Sequence, residues 1–179
     1  MRYVALFRGI NVGKAKRIAM ADLRALLTKL GFKDVATLLN SGNAVFTAPG
    51  EPAAGLAARI RAAVAKQLGV DACVIVKSEK DIAAAIQGNE LGKVAADPSR
   101  LLIAFTADAK ALAAVKSIAA ADWGAEQVRV GKHAAYLWCA NGILESKAAA
   151  ALLSDLAGVG TTRNWATLNK IHALMEGEE

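Results

Sequence analysis

The apolar residues of this chain form two patterns. Some lie in continuous runs, and others recur every three or four residues, as in an amphipathic helix. Residues 2–8 are mostly apolar, which predicts a strand buried on both faces. Over residues 20–30 the apolar positions return every three or four residues, which predicts an amphipathic helix. Gly31 then supplies the left-handed position at which many helices end. The chain therefore opens with a strand, a loop and a helix.

Two short strand patterns follow, at 35–40 and 44–48. The Ser-Gly-Asn sequence at 41–43 between them has the composition of a hairpin turn. A second helical repeat runs over 52–68, and a buried strand is predicted at 72–77. The resulting order, β-α-β-β-α-β, is that of the ferredoxin-like split βαβ unit.

This order has a geometric consequence for two polar segments. In a split βαβ unit the first two strands run in the same direction and the third returns. The loop after strand one, residues 8–17, and the turn at 40–43 therefore leave the sheet at the same end. We expect these two segments to be neighbours in space and to form a candidate site.

The rest of the chain repeats the pattern in part. A helix at 79–87 completes a first half of residues 1–88, and the Asn, Gly, Asp and Pro residues of 89–99 predict a linker. The second half, residues 100–179, has elements near 101–106, 108–118, 127–131, 134–139, 146–157 and 163–176. The predicted fold class is α+β, with two ferredoxin-like (split βαβ) halves, the second lacking its last strand and ending in a helix.

Composition indicates a globular chain. Hydrophobic residues make up 55% and charged residues 21%, which argues against disorder. No run approaches the roughly 18 apolar residues of a membrane span, and the N-terminus has no signal-peptide pattern. We therefore expect a cytoplasmic protein without a membrane partner. Cys73 and Cys139 are expected as buried thiols, and with His133 and His172 they give no metal-ligand spacing, so no metal or cofactor is predicted.

The positive charge is concentrated in one part of the chain. Residues 1–40 carry eight Lys or Arg and two Asp, so this segment holds a net charge of +6, equal to that of the whole chain. A local positive field attracts phosphates and nucleic acid, although a solvated basic loop has the same composition.

The segment from Gly9 to Lys14 follows a strand and precedes a helix, as a phosphate-binding loop does. Its glycines are one residue too close for the Walker spacing, and Ala15 stands where the magnesium-binding hydroxyl belongs, so no ATPase is predicted. Exposed backbone N–H groups and basic side chains can still hold an oxyanion. The alternative is a flexible glycine turn. The candidate ligand-binding residues are Arg8, Asn11, Lys14, Lys16 and Arg17.

Ser41 and Asn43 have small polar side chains that would complete a pocket beside Asn11. Ser and Asn are also the residues that hairpin turns use to bond their own backbone. Ser41 has no evident His and carboxylate partners, so nucleophilic catalysis is not predicted.

The third polar segment, 161–165, precedes the last predicted helix. A threonine at 161 or 162 is the expected N-cap. Arg163 and Asn164 would then project from a helix N-terminus, where anions are favoured. The sequence leaves open whether this segment joins the site.

Aromatic residues on the first sheet offer an alternative, RNA recognition by base stacking. Tyr3 and Phe7 share one face of strand one, and Phe46 lies in strand three. Residues 41–48 lack the basic and aromatic spacing of the segment that such sheets use.

Two function classes follow from these residues. The first is a small binding module for an anionic ligand, a nucleotide or a nucleic-acid phosphate. The alternative is an enzyme acting on a small phosphorylated or carboxylated metabolite at the same cleft. No His, Asp or Glu lies inside the three segments, so no catalytic residue is predicted.

The chain resembles a bacterial family catalogued as domain of unknown function 1697. The resemblance rests on motifs in the same order along nearly the whole chain, at Arg8–Gly13, Met20–Leu27, Asn40–Asn43, Asn141–Ile143, Ser146-Lys147 and Thr161–Trp165. Lys14 replaces a second glycine of the family pattern, Asn40 replaces a usual Gln, and Asn89-Glu90-Leu91 replaces an Asn-Pro-Phe element. The resemblance implies ferredoxin-like units and supplies no activity, substrate or catalytic residue.

Overall fold

A computed structural model describes residues 1–177. The protein has a mixed α/β fold with two four-stranded antiparallel sheets. Its chain divides into two compact units. Unit 1 comprises Met1–Ile82 together with the chain from Lys170 onward, and unit 2 comprises Ala83–Asn169. Within residues 1–177, no helix has the length and apolar character to cross a membrane.

Unit 1 contains the predicted β-α-β-β-α-β order. Its strands pair in the order β2-β3-β1-β4. Because β1 and β2 both pair antiparallel with β3, they run in the same direction, as predicted. Whether the unit belongs with the ferredoxin-like folds stays a prediction. The elements are β1 (Arg2–Phe7), α1 (Met20–Lys29), β2 (Lys33–Leu38), β3 (Asn43–Thr47), α2 (Ala53–Leu68), β4 (Val74–Ser78) and α3 (Glu79–Gln87), which continues into unit 2.

One face of the first sheet packs on α1 and α2. The rings of Tyr3, Phe7 and Phe46 lie in this core, each at most 3% exposed, and Phe32 stacks on Phe46 with ring centroids 4.4 Å apart. Rings at these positions have no surface to offer a base. The alternative of RNA recognition by stacking on this sheet is therefore wrong, because the helices already cover the aromatic face.

Local signals set the ends of the helices where the sequence predicts them. Gly31 has φ +89° after α1, and Gly69 has φ +68° as the C-cap of α2. At the start of α3, Ser78 Oγ accepts from the Asp81 backbone N–H, and the Asp81 carboxylate accepts from the Ser78 backbone N–H. This reciprocal pair is a capping box.

Unit 2 contains a second sheet, with strand order β6-β7-β5-β8. A helix of this unit begins after Asp108, whose side chain caps Ala111 N–H at 2.8 Å. The elements are β5 (Leu101–Thr106), α4 (Ala109–Ala114), α5 (Lys116–Ala120), β6 (Gln127–Val130), β7 (Ala135–Trp138), α6 (Lys147–Asp155), β8 (Gly160–Asn164) and α7 (Trp165–Glu176), which continues into unit 1.

The expectation that the second half lacks its last strand is wrong. Residues Gly160–Asn164 form β8, which pairs antiparallel with β5. The polar Gly-Thr-Thr-Arg-Asn sequence resembles a helix start, because Thr and Asn are common N-caps. β-branched threonines also suit strands, and the ladder with β5 satisfies the backbone of this segment.

The predicted linker at 89–99 forms turns and lies inside unit 2. The two divisions between the units fall inside α3 and α7 instead. The domain limits at 1–88 and 100–179 stay a prediction, because compactness does not show which segment folds alone.

Gly42 lies where the hairpin turn meets the end of β1. Its φ is +87°, and a Cβ there would approach Phe7 Cβ at 2.8 Å and Ile10 Cδ1 at 2.6 Å. We expect Gly42→Ala to lower the free energy of unfolding by about 2–4 kcal/mol, because backbone strain and overpacking add. Gly31→Ala is the matched control: its φ is +89°, but a Cβ meets nothing within 4 Å.

Urea unfolding of both glycine variants measures the difference. Gly31→Ala should cost only the left-handed strain, about 1–2 kcal/mol. Equal losses for the two variants would contradict the close packing of the turn on β1.

Tyr136 makes a buried hydrogen bond in unit 2. Its hydroxyl donates to the Ala85 carbonyl at 2.6 Å, and burial, with a smaller effect from Glu90, raises its pKa to about 12. The unfolded phenol ionises near pH 10, so between about pH 10 and 12 the native state binds more protons than the unfolded state. The free energy of unfolding should therefore fall as pH rises through this window.

We expect Tyr136→Phe to be less stable than the parent by about 1 kcal/mol at pH 7, because the Ala85 carbonyl loses its donor. The deficit should shrink above about pH 10, because phenylalanine has no proton to lose. Urea unfolding of both proteins at pH 7 and near pH 10.5 tests this. A deficit that stays constant would show that the phenol has an ordinary pKa.

Candidate functional site

The loop after β1 and the hairpin turn meet at one end of the first sheet. Asn11 Nδ2 donates to the Asn40 carbonyl oxygen at 2.7 Å, and Phe7 N donates to the Gly42 carbonyl oxygen at 2.9 Å. These bonds join segments about thirty residues apart in sequence. The predicted convergence of residues 8–17 and 40–43 is confirmed.

The Asn11 side chain also closes its own loop. Its Oδ1 accepts from the Ile18 backbone N–H at 2.8 Å, and its Nδ2 donates to the Ile18 carbonyl at 2.9 Å. The Asn11 backbone N–H donates to the Lys16 carbonyl at 3.0 Å. Both amide hydrogens of Asn11 therefore have acceptors within the chain. Asn11 therefore holds the loop in place. Its role as a ligand-binding residue stays a prediction.

The backbone of this loop uses left-handed conformations repeatedly. The angle φ is positive at Gly9, Asn11 and Gly13, which alternate with residues of negative φ, and again at Lys16. Gly and Asn tolerate positive φ, whereas Lys16 adopts it against the preference of its residue type. The hydrogen bonds from Asn11 to Ile18 and Lys16 hold this conformation in place.

Three basic side chains of the loop are exposed. They belong to Lys14, Lys16 and Arg17. Arg17 Nη1 donates to the Gly13 carbonyl at 3.2 Å, which holds the guanidinium against its own loop. Arg8 is half-buried at the end of β1, where its backbone N–H donates to the Cys73 carbonyl at 2.9 Å. The predicted basic residues thus occupy one loop.

A cavity of about 370 Å³ lies between this loop and the hairpin turn. This volume is within the range of small-ligand pockets. Sequence reasoning missed two of its lining residues, Ile18 and Ala19, which carry no polar signal. The lining residues are Asn11, Arg17, Ile18, Ala19 and Asn40.

The two hairpin residues differ in their surroundings. Ser41 is exposed, whereas Asn43 is fully buried. Asn43 Nδ2 donates to the Leu38 carbonyl at 2.8 Å and to Ser41 Oγ at 3.3 Å. These bonds stabilise the turn itself, which is the role that Ser and Asn commonly have in hairpin turns.

The third polar segment lies in unit 2, where Arg163 is part of β8 and only 8% exposed. Its Nη1 donates to Thr161 Oγ1 at 3.0 Å and to the Thr162 carbonyl at 2.7 Å. Burial lowers the pKa of the guanidinium to about 10. The expectation that Arg163 projects from a helix N-terminus is wrong, because the strand extends through this residue.

The N-cap of α7 also differs from the expectation. Asn164 Oδ1 accepts from the Thr167 backbone N–H at 2.8 Å, so Asn164 caps the helix in place of Thr161 or Thr162. The helix begins at Trp165, two residues later than predicted, and its cap moves toward the C-terminus with it.

The cysteines do not add a reactive group to the site. Cys73 and Cys139 are both free thiols, and burial raises the pKa of each. A raised pKa keeps a thiol protonated and unreactive near neutral pH. In residues 1–177, no group of three or more His, Cys, Asp or Glu side chains is placed to hold a metal ion.

We expect Asn11→Ala to lower the free energy of unfolding by about 2–4 kcal/mol, because it leaves the Ile18 and Asn40 groups without their partner and places alanine at a positive φ. Asn40→Ala is the matched control, since the bond uses only the Asn40 main-chain carbonyl. Urea unfolding gives the stability of each variant. Amide hydrogen exchange should show faster exchange at Ile18 in Asn11→Ala alone. A comparable loss in Asn40→Ala would contradict this assignment.

Comparison with known structures identifies a similar protein. A conserved bacterial protein from Streptococcus pneumoniae has a TM-score of 0.80 to this chain and is 25% identical in sequence. The alignment covers 97% of this chain and 98% of the other. No curated protein matches the sequence.

A family model matches residues 1–136, which include all of the loop and the hairpin turn. Its description is a protein of unknown function, DUF1697. The match covers more than half of the chain, and its residues include the motifs at 8–13, 20–27 and 40–43 from which the resemblance was drawn. The chain belongs to the DUF1697 family.

Proposed function

We propose that the protein is a small binding module for an anionic ligand, and that the ligand binds at the loop 8–17 and the hairpin turn of unit 1. The chemistry it recognises is the phosphate of a nucleotide or of a nucleic acid. The observation that carries this proposal is the cavity of about 370 Å³ where Asn11 joins the two segments.

The charge distribution supports an anion. The whole net charge of +6 resides in residues 1–40, and three of these cations are exposed on the loop beside the cavity. Arg17 lines the cavity directly. Concentrated positive charge next to a cleft raises the local concentration of anions and their rate of association.

The hydrogen bonds of Asn11 support a preformed site. The loop is closed by bonds to Lys16 and Ile18 and tied to Asn40 before any ligand is present. A preformed loop does not have to be ordered on binding, and this lowers the entropic cost of association.

Binding of a duplex oligonucleotide, followed by fluorescence anisotropy at increasing salt, tests the proposal. If Lys14, Lys16 and Arg17 each neutralise one phosphate, log K should fall with log salt with a slope of about −2.7. The double variant Lys14→Gln, Lys16→Gln should weaken binding and reduce the slope to about −0.9.

The control is the double variant Lys110→Gln, Lys116→Gln, which removes the same charge from exposed positions in unit 2. It should leave the slope near that of the parent, because neither residue lies on the loop. Equal effects of the two double variants, or no binding at low salt, would contradict a phosphate site at the loop.

A further inference from the structure

We propose that the segment Val12–Arg17 binds a compact phosphate group through its backbone N–H groups, so that the ligand is recognised by its phosphates and not by an attached base. This inference rests on the proposed function, because it names the ligand class of the same loop. Its test separates failure of this inference from failure of that function.

Most backbone amides of this segment are available as donors. From Val12 to Arg17, the Ala15 N–H lies in the hydrogen-bonded turn at Gly13-Lys14, and the other backbone N–H groups have no acceptor within residues 1–177. The flanking amides differ, since Asn11 N–H bonds to the Lys16 carbonyl and Ile18 N–H bonds to Asn11 Oδ1. Five donors therefore lie between two fixed points of the backbone.

The sign of φ changes repeatedly along the segment. Positive φ at Asn11 and Gly13 alternates with negative φ at the residues between and beside them, and Lys16 adds a further left-handed position. Backbone N–H groups in such alternating conformations converge on a concave anion site, as they do in phosphate-binding loops. The side chains of Lys14 and Lys16 add charge around it.

The surroundings of the segment offer no aromatic ring on which a base could stack. The rings of Tyr3, Phe7, Phe32 and Phe46 in unit 1 are all buried, and the cavity lining contains no aromatic residue. The exposed neighbours Val12 and Leu39 are aliphatic and have no group to bond a base edge. Stacking on a ring strengthens binding by about 5- to 150-fold per base, and this gain is absent here.

The probes are inorganic pyrophosphate and ADP, and the central variant is Gly13→Ala. Gly13 has φ +63°, and a Cβ there meets nothing within 4 Å, so the substitution acts on the backbone conformation alone. Gly31→Ala is the control, with φ +89° and equally open space at the end of α1. Gly13→Asn is a rescue variant, because Asn tolerates a positive φ.

We expect pyrophosphate and ADP to bind the parent within about threefold of each other, since only the phosphates contribute. Gly13→Ala should weaken both by about fivefold or more, and Gly31→Ala should leave both unchanged. Gly13→Asn should restore most of the affinity. Gly13→Ala should also keep the salt dependence of the parent, whereas loss of Lys14 and Lys16 reduces it.

Three results would overturn the inference. ADP binding tenfold or more tighter than pyrophosphate would show that the base is recognised. Equal affinities in the Gly13 and Gly31 variants, or a shallower salt dependence in Gly13→Ala, would assign binding to the side-chain charges. In each case salt-dependent anion binding would persist and the proposed function would stand. Absence of binding by pyrophosphate, ADP and duplex oligonucleotide alike would overturn both.

Discussion

The side-chain amide of Asn11 is the contact on which the geometry of the candidate site depends. It bonds both backbone groups of Ile18 and the carbonyl of Asn40, and so fixes a ten-residue loop against a hairpin turn. This contact is possible because β3 lies between β1 and β2, which brings the start of β3 beside the end of β1. The direct bond from Phe7 N–H to the Gly42 carbonyl extends the hydrogen-bond ladder of β1 and β3 into the turn.

The polar residues of this end of the sheet divide into two groups. Asn11 and Asn43 direct their amide hydrogens at backbone carbonyls or at Ser41, and they stabilise the two connections. Lys14 and Lys16 extend from the fixed loop into solvent. Backbone groups left unpaired by tight turns need such amides, since burial without a partner costs about 1–3 kcal/mol each. The asparagine amides therefore hold the backbone of the two connections in place, and the lysines supply the positive charge.

The sequence predicts the meeting of the two loops because that meeting follows from strand direction alone. It does not predict the bonds of Asn11, whose partners are main-chain atoms of Ile18 and Asn40, seven and twenty-nine residues away. Nor does it predict β8, because Thr-Thr-Arg-Asn suits a helix cap locally, and only pairing with β5 makes it a strand. Local patterns identify elements whose stability is local. They fail where a distant backbone supplies the partner.

The left-handed residues of the loop show how strain and order are related. Positive φ at Lys16 costs about 1–2 kcal/mol, which a flexible loop would avoid by rotating to another conformation. Here the Lys16 carbonyl accepts from Asn11 N–H, and the bonds to Ile18 fix the residues that follow. These bonds offset the strain and keep the basic side chains on a rigid frame. A loop held in this way presents its N–H groups and its charges in one arrangement, as the proposed recognition of a small anion requires.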